Sequence, residues 1–583
     1  MKLKYHKVYN DFSDFRFFSL YIFIFLLFVV LIVRIVYLQL INHDWLLREG
    51  DIRSLRNQRV DITRGMIRDR VGRLLAVSVP VYAVCANPKE LIKDELLNMF
   101  VGSKWQVFSD VLSMPLNQIS SRIRLRSNDN FVYLARQISS STGEYILNLK
   151  LPGIYLSKES RRYYPCSQIT AHIIGFTDID GYGIEGVEKS FNSLLQGVPG
   201  QRIVRQDPSG KVIEHVSSVD RRLANNLFLS IDERLQNLVY RELNHAVIAH
   251  KAESGSAVLI DVNTGEVLAM VNSPSYNPNN LSVAAKRFIR NRAITDLFEP
   301  GSTIKPVVII AALQQGIIQE DSVLNTLPYF INGYQIKDVV RYERLSIKDI
   351  LQKSSNVGVS KLALNMPCSV LVDAYLQFGI GVKTNLGLVG EAYSSSFCKN
   401  HYSDIERATL SYGYGLMVTP LQLAKVYATI GSMGISRPIS IVRIEKSTIV
   451  SGKQIFPASL VRTVLNMMNT VSLSIGNNVE DSYKYRIAIK TGTVKKINQS
   501  GKYVNKYIAY AAGVAPIYQP KFSLVVVINE PKSGQYYGGI VSAPVFEKIM
   551  KGVFRITDMT LNQKVSAGDV FDDNFFFESY RKS

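Results

Sequence analysis

Between Arg16 and Arg34 the chain runs from Phe17 to Val33 without a charge, and no later stretch is as long or as uniformly apolar. At ~1.5 Å of rise per residue this falls slightly short of a ~30 Å hydrocarbon core. If the Arg34 guanidinium reaches back to the headgroups, the apolar stretch continues through Ile35, Val36, Tyr37 and Leu40 to Ile41, which is long enough. The pattern therefore predicts one transmembrane anchor over residues 17–41 behind a tail of residues 1–16. No small-residue cleavage site follows, only Tyr37-Leu38-Gln39-Leu40, so the segment reads as an uncleaved anchor rather than a signal peptide. Lys2, Lys4, Lys7 and Arg16 precede the span, and Arg48, Arg53, Arg56 and Arg59 follow it. The positive-inside rule then does not decide the orientation. A short tail before one large ectodomain favours the N-terminus inside.

From residue 42 to about 225 short apolar strands alternate with many arginines and few long amphipathic helices. Asp207-Pro208-Ser209-Gly210-Lys211 is a turn signal, and Ser217 to Asn226 is polar and linker-like. Beyond it the period changes. Asp232 can cap a helix whose apolar face is Leu235, Leu238, Val239, Leu243, Ala246 and Val247. Ser256–Asp261 and Glu266–Val271 read as strands of a hairpin around Asn263-Thr264-Gly265. Helical periodicity follows at about 302–315, 349–365, 419–431 and 459–471. Strand-like runs return at about 486–491, 507–514 and 522–528, then a last helix at roughly 543–553. An early hairpin, central helices and late strands predict an α+β fold, an antiparallel sheet covered by helices. The tail 557–583 lacks periodicity and is expected to be a flexible appendage. The pattern divides the chain into 1–16, 17–41, 42–225, 226–556 and 557–583.

Composition narrows the function classes. The 583 residues are 47% hydrophobic and 20% charged, which excludes disordered and collagenous chains. The net charge of +20 would suit nucleic acid or an anionic surface. The basic residues are scattered, however, and no zinc-knuckle or aromatic RNA-binding signature accompanies them, so no nucleic-acid partner is expected. The four cysteines (Cys85, Cys166, Cys368, Cys398) form no C-x-x-C and the seven histidines no H-E-x-x-H. Neither a metal nor another cofactor is implied.

Three short stretches carry chemistry. In Glu299-Pro300-Gly301-Ser302-Thr303-Ile304-Lys305-Pro306 a Pro-Gly turn opens an apolar helix. Ser302 then sits at a helix N-terminus, with Lys305 one turn on along the same face. A serine needs an adjacent base, and a desolvated lysine kept neutral can serve. Alone, this motif reads more readily as an ordinary helix cap with a solvated lysine. Ser396-Phe397-Cys398-Lys399 has the same spacing but no helix behind it, and is set aside. Ser354-Ser355-Asn356 offers a hydroxyl and a carboxamide two positions apart, a pattern common at helix caps. In Arg486-Ile487-Ala488-Ile489-Lys490-Thr491-Gly492-Thr493 an apolar strand runs into a cation, two hydroxyls and a glycine. Lys490 and Thr491 there can hold a carboxylate while Gly492 admits a substrate backbone. Lys383-Thr384-Asn385 lacks the glycine and the strand, and is rejected.

S-x-x-K, S-x-N and K-T-G in this order resemble the serine penicillin-recognising enzymes. The resemblance extends further. Arg64-Gly65-Met66-Ile67-Arg68-Asp69-Arg70-Val71-Gly72, Arg161-Arg162-Tyr163-Tyr164-Pro165 and Gly183-Ile184-Glu185-Gly186-Val187-Glu188 resemble the non-catalytic module of class B penicillin-binding proteins. Tyr412-Gly413-Tyr414-Gly415-Leu416-Met417-Val418-Thr419-Pro420-Leu421-Gln422 is similar to their transpeptidase domain. From about Arg34 to Val553 the chain resembles the division-specific branch, the septal peptidoglycan D,D-transpeptidases of the penicillin-binding protein 3 type. This resemblance implies an elongated non-catalytic pedestal or dimerisation-type domain before the transpeptidase domain. It makes Ser302 the acyl-forming nucleophile and Lys305 its base. Ser354 relays a proton to the departing D-alanine, and Asn356 orients Lys305 and the substrate amide. Lys490, Thr491 and Thr493 hold the terminal carboxylate beside Gly492, and the N–H groups of Ser302 and Thr493 form the oxyanion hole. Implied partners are peptidoglycan stem peptides ending in D-Ala-D-Ala, β-lactam inhibitors, a membrane-embedded glycan polymerase and other division proteins. The implied place is the bacterial inner membrane at the septum, single-pass, with the catalytic domain periplasmic.

Two other classes compete with a cross-linking enzyme. One is a membrane-anchored D,D-carboxypeptidase or β-lactamase, which an anchored chain with a long preceding module suits less well. The other is a penicillin-fold sensor or scaffold, against which the intact Ser302, Lys305 and Lys490 argue. A second, glycosyltransferase activity is not expected, because residues 42–225 carry no acidic motif of that family.

Overall fold

The computed structural model describes residues 12–60, 63–93, 103–197, 200–207, 212–219, 224–399, 401–445, 450–475, 483–498 and 501–557. All but the first residue of the tail expected over 557–583, and most of the turn at 207–211, lie outside them. The chain divides into two compact units, Met1–Ile62 with Gly197–Ala224, and Thr63–Gln196 with Asn225–Ser583.

In the first unit the predicted anchor is helical from Phe12 to Val36 and continues as one wider turn, Tyr37–Ile41. Phe15–Ile41 is 27 residues long and none of its most apolar window is buried. At ~1.5 Å per residue it measures ~40 Å, enough to cross a bilayer with some tilt. A helix His43–Ser54 follows, then a three-stranded antiparallel sheet of Leu55–Val60, Gly200–Gln206 and Val212–Val219. Ser217, expected to begin a linker, instead lies in the last of these strands.

The N-terminal part of the second unit is built on the long strand Leu74–Ala86, paired with Val132–Ile138 on one side and Ile154–Tyr163 on the other. Its three quoted motifs meet at one buried carboxylate. Glu188 is bonded by Arg64 Nε at 2.6 Å and Arg162 Nε at 2.7 Å, and all three side chains are almost wholly buried. Two of the motif glycines are steric necessities. A Cβ on Gly65 would lie 2.0 Å from the Asn225 carbonyl oxygen, and one on Gly183 1.9 Å from that of Glu188.

The C-terminal part carries the predicted α+β layering. Helix α1 (Glu233–Ala249) is capped by the Asp232 side chain, which accepts from Arg234 N–H. The hairpin β1 (Ser254–Asp261) and β2 (Val267–Ser273) follows. Next come α2 (Lys305–Gln314), α3 (Ile347–Gln352), α4 (Asn356–Asn365), α5 (Pro420–Gly431) and α6 (Ala458–Met467). Strands β3 (Asn469–Ile475), β4 (Tyr483–Ile497), β5 (Tyr503–Ala515) and β6 (Phe522–Asn529) precede the last helix, α7 (Ala543–Ile556). The sheet order is β2-β1-β6-β5-β4-β3, antiparallel throughout. Helices α1 and α7 cover one face with Leu235, Leu243, Phe546, Ile549 and Phe554. Helices α2 and α5 pack into the core on the other, with Val307, Ile310, Ala424 and Tyr427. Burial on both faces explains why β1 and β6 read as unbroken apolar runs rather than alternating ones.

Two expected helices differ. The one at 349–365 is broken into α3 and α4 at Ser354, whose φ is +60°. The one at 459–471 stops at Met467, and from Asn469 the backbone pairs with Ile489 as a strand.

Candidate active site

Ser302 lies in a single 3-10 turn, Gly301–Ile304, that leads directly into α2. Gly301 has φ +50°, and a Cβ there would lie 2.5 Å from the Tyr510 hydroxyl, so only glycine fits the turn. Behind the turn sits Gly413 of the Tyr-Gly-Tyr-Gly stretch, whose absent Cβ would come within 2.2 Å of the Gly301 carbonyl oxygen. The Ser302 side chain is partly exposed and its hydroxyl has no hydrogen-bond partner among the described residues.

Lys305, the first residue of α2, is completely buried. Its ammonium donates to the Ser354 carbonyl oxygen at 2.6 Å, to Asn356 Oδ1 at 2.7 Å and to Ser354 Oγ at 3.2 Å. Lys490 approaches from β4 and donates to Ser354 Oγ at 2.9 Å and to the Thr491 carbonyl oxygen at 3.2 Å. The three motifs, nearly two hundred residues apart at their extremes, thus converge on one hydroxyl. Burial, with Lys490 as second cause, holds Lys305 well below the ordinary lysine value, against an opposing pull from Asp338. Burial alone brings Lys490 down to about 8. The charge of one lysine thus acts on the other at Lys305, where it is secondary to desolvation.

Asp338 was not legible in the sequence. Its carboxylate accepts from Ser355 Oγ and Asn356 N–H, both at 2.5 Å, and from Val357 N–H at 2.9 Å. It fills the first turn of α4, while Ser355 caps the same helix through Gly358 N–H at 2.9 Å. That double cap is why the expected single helix breaks, and the break turns Ser354 and Asn356 toward Lys305.

Gly492 and Thr493 lie on β4 beside Lys490. A Cβ on Gly492 would come within 2.1 Å of the Tyr510 ring on the neighbouring strand, so the glycine is required by this packing and not only by an approaching substrate. Tyr510 also donates to the Glu299 carbonyl oxygen at 3.0 Å, tying β5 to the turn before Ser302. Thr493 Oγ1 accepts from Gly538 N–H at 2.9 Å and keeps its proton free to donate. Thr491 is partly exposed beside them. The rejected look-alikes have other partners: Lys399 pairs with Glu406 at 2.7 Å, and Thr384 donates to Glu391 at 2.5 Å.

This is the layout of a serine acyl-transfer site, with a free hydroxyl, a buried lysine one turn on and a second lysine from β4 meeting the first at Ser354. Residues 255–551 match the penicillin binding protein transpeptidase domain, and residues 59–229 match the penicillin-binding protein dimerisation domain. The chain belongs to the penicillin-binding protein transpeptidases. It is 60% identical over 541 residues to the peptidoglycan D,D-transpeptidase FtsI of Escherichia coli (strain K12), covering 93% of this chain and 91% of that one. It is 52% identical to the protein of the same name from Buchnera aphidicola subsp. Schizaphis graminum, over 89% and 91% of the two chains. Among solved structures it is similar in fold to a peptidoglycan synthetase from Bifidobacterium adolescentis. That match has a TM-score of 0.66 at 24% identity, over 86% of this chain and 97% of the other. Membership makes the protein an enzyme of the transpeptidase class, one whose domain binds penicillins, and its N-terminal helix is consistent with a membrane anchor.

Proposed function

We propose that the protein is the septal peptidoglycan D,D-transpeptidase of its cell, cross-linking stem peptides through a serine acyl-enzyme during division. The observation that carries the chemistry is the convergence of Lys305, Lys490, Ser354 and Asn356, with Lys305 one turn along the chain from the unbonded Ser302 hydroxyl. Neutral Lys305 takes the proton as Ser302 Oγ attacks the carbonyl of the D-Ala–D-Ala bond. The N–H groups of Ser302 and Thr493 receive the developing oxyanion. Ser354 passes a proton to the departing D-alanine nitrogen, and Asn356 orients Lys305 and the substrate amide. Lys490, with the hydroxyls of Thr491 and Thr493 beside Gly492, holds the terminal carboxylate, a charge that favours the protonated lysine. An amine of a second stem peptide then takes the acyl group. A β-lactam presents the same carbonyl and carboxylate and stays bound as the acyl-enzyme.

In this reading residues 1–16 are cytoplasmic and 17–41 anchor the protein in the inner membrane. Residues 42–225 form the non-catalytic module, 226–556 the periplasmic catalytic domain, and 557–583 a tail. Lipid-linked precursors lie at the outer face of that membrane, so an anchored cross-linker is held where nascent strands emerge. The partner that supplies them is a membrane-embedded glycan polymerase within the division complex.

The test is to label the purified protein with a fluorescent penicillin and map the modified peptide. Label is expected on Ser302 and absent from S302A, which should stay folded because the Ser302 hydroxyl holds no hydrogen bond among the described residues. Undiminished labelling of S302A refutes the assignment, and rapid release of the label would favour a β-lactamase.

A further inference from the structure

Among the described residues four glutamates are buried, and three of them are paired with cations. Glu188 has Arg64 and Arg162, Glu266 has Arg70, and Glu530 has Lys496 and Lys506. The fourth, Glu299, is 5% exposed and has no cationic partner among the described residues. It lies three residues before Ser302 and takes no part in the mechanism above. Its Oε1 accepts from Gly415 N–H at 2.8 Å and from the Tyr503 hydroxyl at 3.1 Å, and its Oε2 accepts from Tyr503 alone, at 3.0 Å. Burial pushes the carboxyl upward from its ordinary value.

A buried carboxylate without a counter-charge is costly, and a fold that needed only a structural tie here would be served by an amide. The surroundings suit a cation. The Tyr414 ring packs edge-on against both Tyr412 (5.7 Å between centroids) and Tyr503 (5.9 Å), and the Tyr503 ring is half exposed. Gly413, between the first two tyrosines, abuts the Gly301 backbone of the nucleophile turn. Aromatic faces beside an unpaired carboxylate form a receptor for an ammonium ion. Donor recognition engages the opposite charge, a carboxylate on Lys490, so this cation-binding half-site is left over for the second substrate.

We infer that Glu299, with Tyr414 and Tyr503, binds the primary ammonium of the acceptor peptide. The inference rests on the transpeptidase reading. The ammonium displaces the Tyr503 hydroxyl from Oε2 and gives one proton to the carboxylate. The nitrogen lone pair then forms a bond to the acyl carbon and the ester bond to Ser302 Oγ breaks. The second proton lost from nitrogen passes through Lys305 to Ser302 Oγ, and the proton on Glu299 returns to solvent.

The experiment uses the full chain in detergent with a thioester analogue of the donor peptide, at mildly alkaline pH. The same acyl-enzyme is offered water, a stem peptide with a free side-chain amine, or hydroxylamine, which is uncharged under those conditions. For E299Q the ratio of transfer to hydrolysis is expected to fall about tenfold with the amine peptide and to stay level with hydroxylamine. A ratio unchanged for the amine peptide overturns the inference. So does an equal fall for both acceptors, or a folded E299Q that no longer acylates, since either would give Glu299 a general structural role. If E299Q does not fold, Y414L decides by the same comparison, with a smaller fall expected for the cationic acceptor only. Absence of any acyl-enzyme on wild-type Ser302 would instead strike at the transpeptidase reading.

Discussion

Replacing Asp338 with alanine should slow acylation without dismantling the domain. Three donors lose their acceptor: one hydroxyl and two backbone N–H groups at the start of α4. Charge-assisted hydrogen bonds contribute about 1.5–3 kcal/mol each when buried. Asp338 is partly exposed and Ser355 still caps the helix, so water and the second cap recover much of this. A net loss of about 2 kcal/mol is expected, the upper end for one helix cap. The kinetic effect has two parts. Ser354 and Asn356 lose the tether that turns them toward Lys305, so the second-order acylation constant with a fluorescent penicillin should fall at least about tenfold, or about 1.4 kcal/mol. The charge matters separately. Asp338 pulls the Lys305 value upward, against burial and Lys490, and among the described residues these two are the charged groups that act on it. Its removal leaves Lys305 neutral at lower pH, so the acid limb of the acylation profile should move downward. D338N keeps an acceptor and should recover part of the stability and rate while retaining the shifted limb. An alanine variant with the parental rate constant and an unmoved acid limb would refute this reasoning.

Lys305→Arg should acylate hardly at all, because a guanidinium cannot give up its proton at working pH, whereas Lys490→Arg keeps a cation for the carboxylate and should retain measurable acylation; stopped-flow labelling of both separates the roles, and wild-type speed in the first would remove Lys305 as base. Gly492→Ala places a methyl 2.1 Å from the Tyr510 ring and should lower stability by about 1–3 kcal/mol, read as a thermal shift. An ectodomain beginning near residue 42 should still take penicillin but fail to support septation in cells. A foreign transmembrane helix should restore attachment without full division function, and complete rescue by the soluble form would withdraw the septal role.

The core of the catalytic fold could be read from the chain because its strands are buried on both sides and its helices carry explicit caps, Asp232 for α1 and Thr419 for α5. The site motifs were legible because a serine and a lysine one turn apart, and a strand ending in Lys490-Thr491-Gly492-Thr493, each need only local geometry. What escaped notice was what long-range contact imposes. Nothing near Asp338 marks it as the cap of a helix that begins eighteen positions later. The left-handed Ser354 has no glycine or asparagine to announce it. Gly492 was read as making room for substrate, yet the ring it accommodates belongs to Tyr510 on another strand. The start of β3 was overrun because Asn469–Val471 continues a helical period until pairing with β4 overrides it.

The crossing of two lysines at Ser354 gives the site a polarity. A neutral amine has two hydrogens, and at Lys305 two carbonyl-type acceptors, Ser354 O and Asn356 Oδ1, lie nearest and claim both. Its lone pair is then the only feature left to face Ser354 Oγ, so with Lys305 uncharged that contact reverses and the hydroxyl becomes the donor. The same oxygen still accepts from Lys490 at 2.9 Å. A hydroxyl has one hydrogen, so the sequence Lys490, Ser354, Lys305 can be arranged in one sense only. Charging Lys305 breaks that sense and frees the Ser354 hydrogen to rotate into the cleft. Under the proposed mechanism the junction acts as a valve: closed inward while Lys305 is neutral, and open toward the leaving nitrogen once Lys305 is charged.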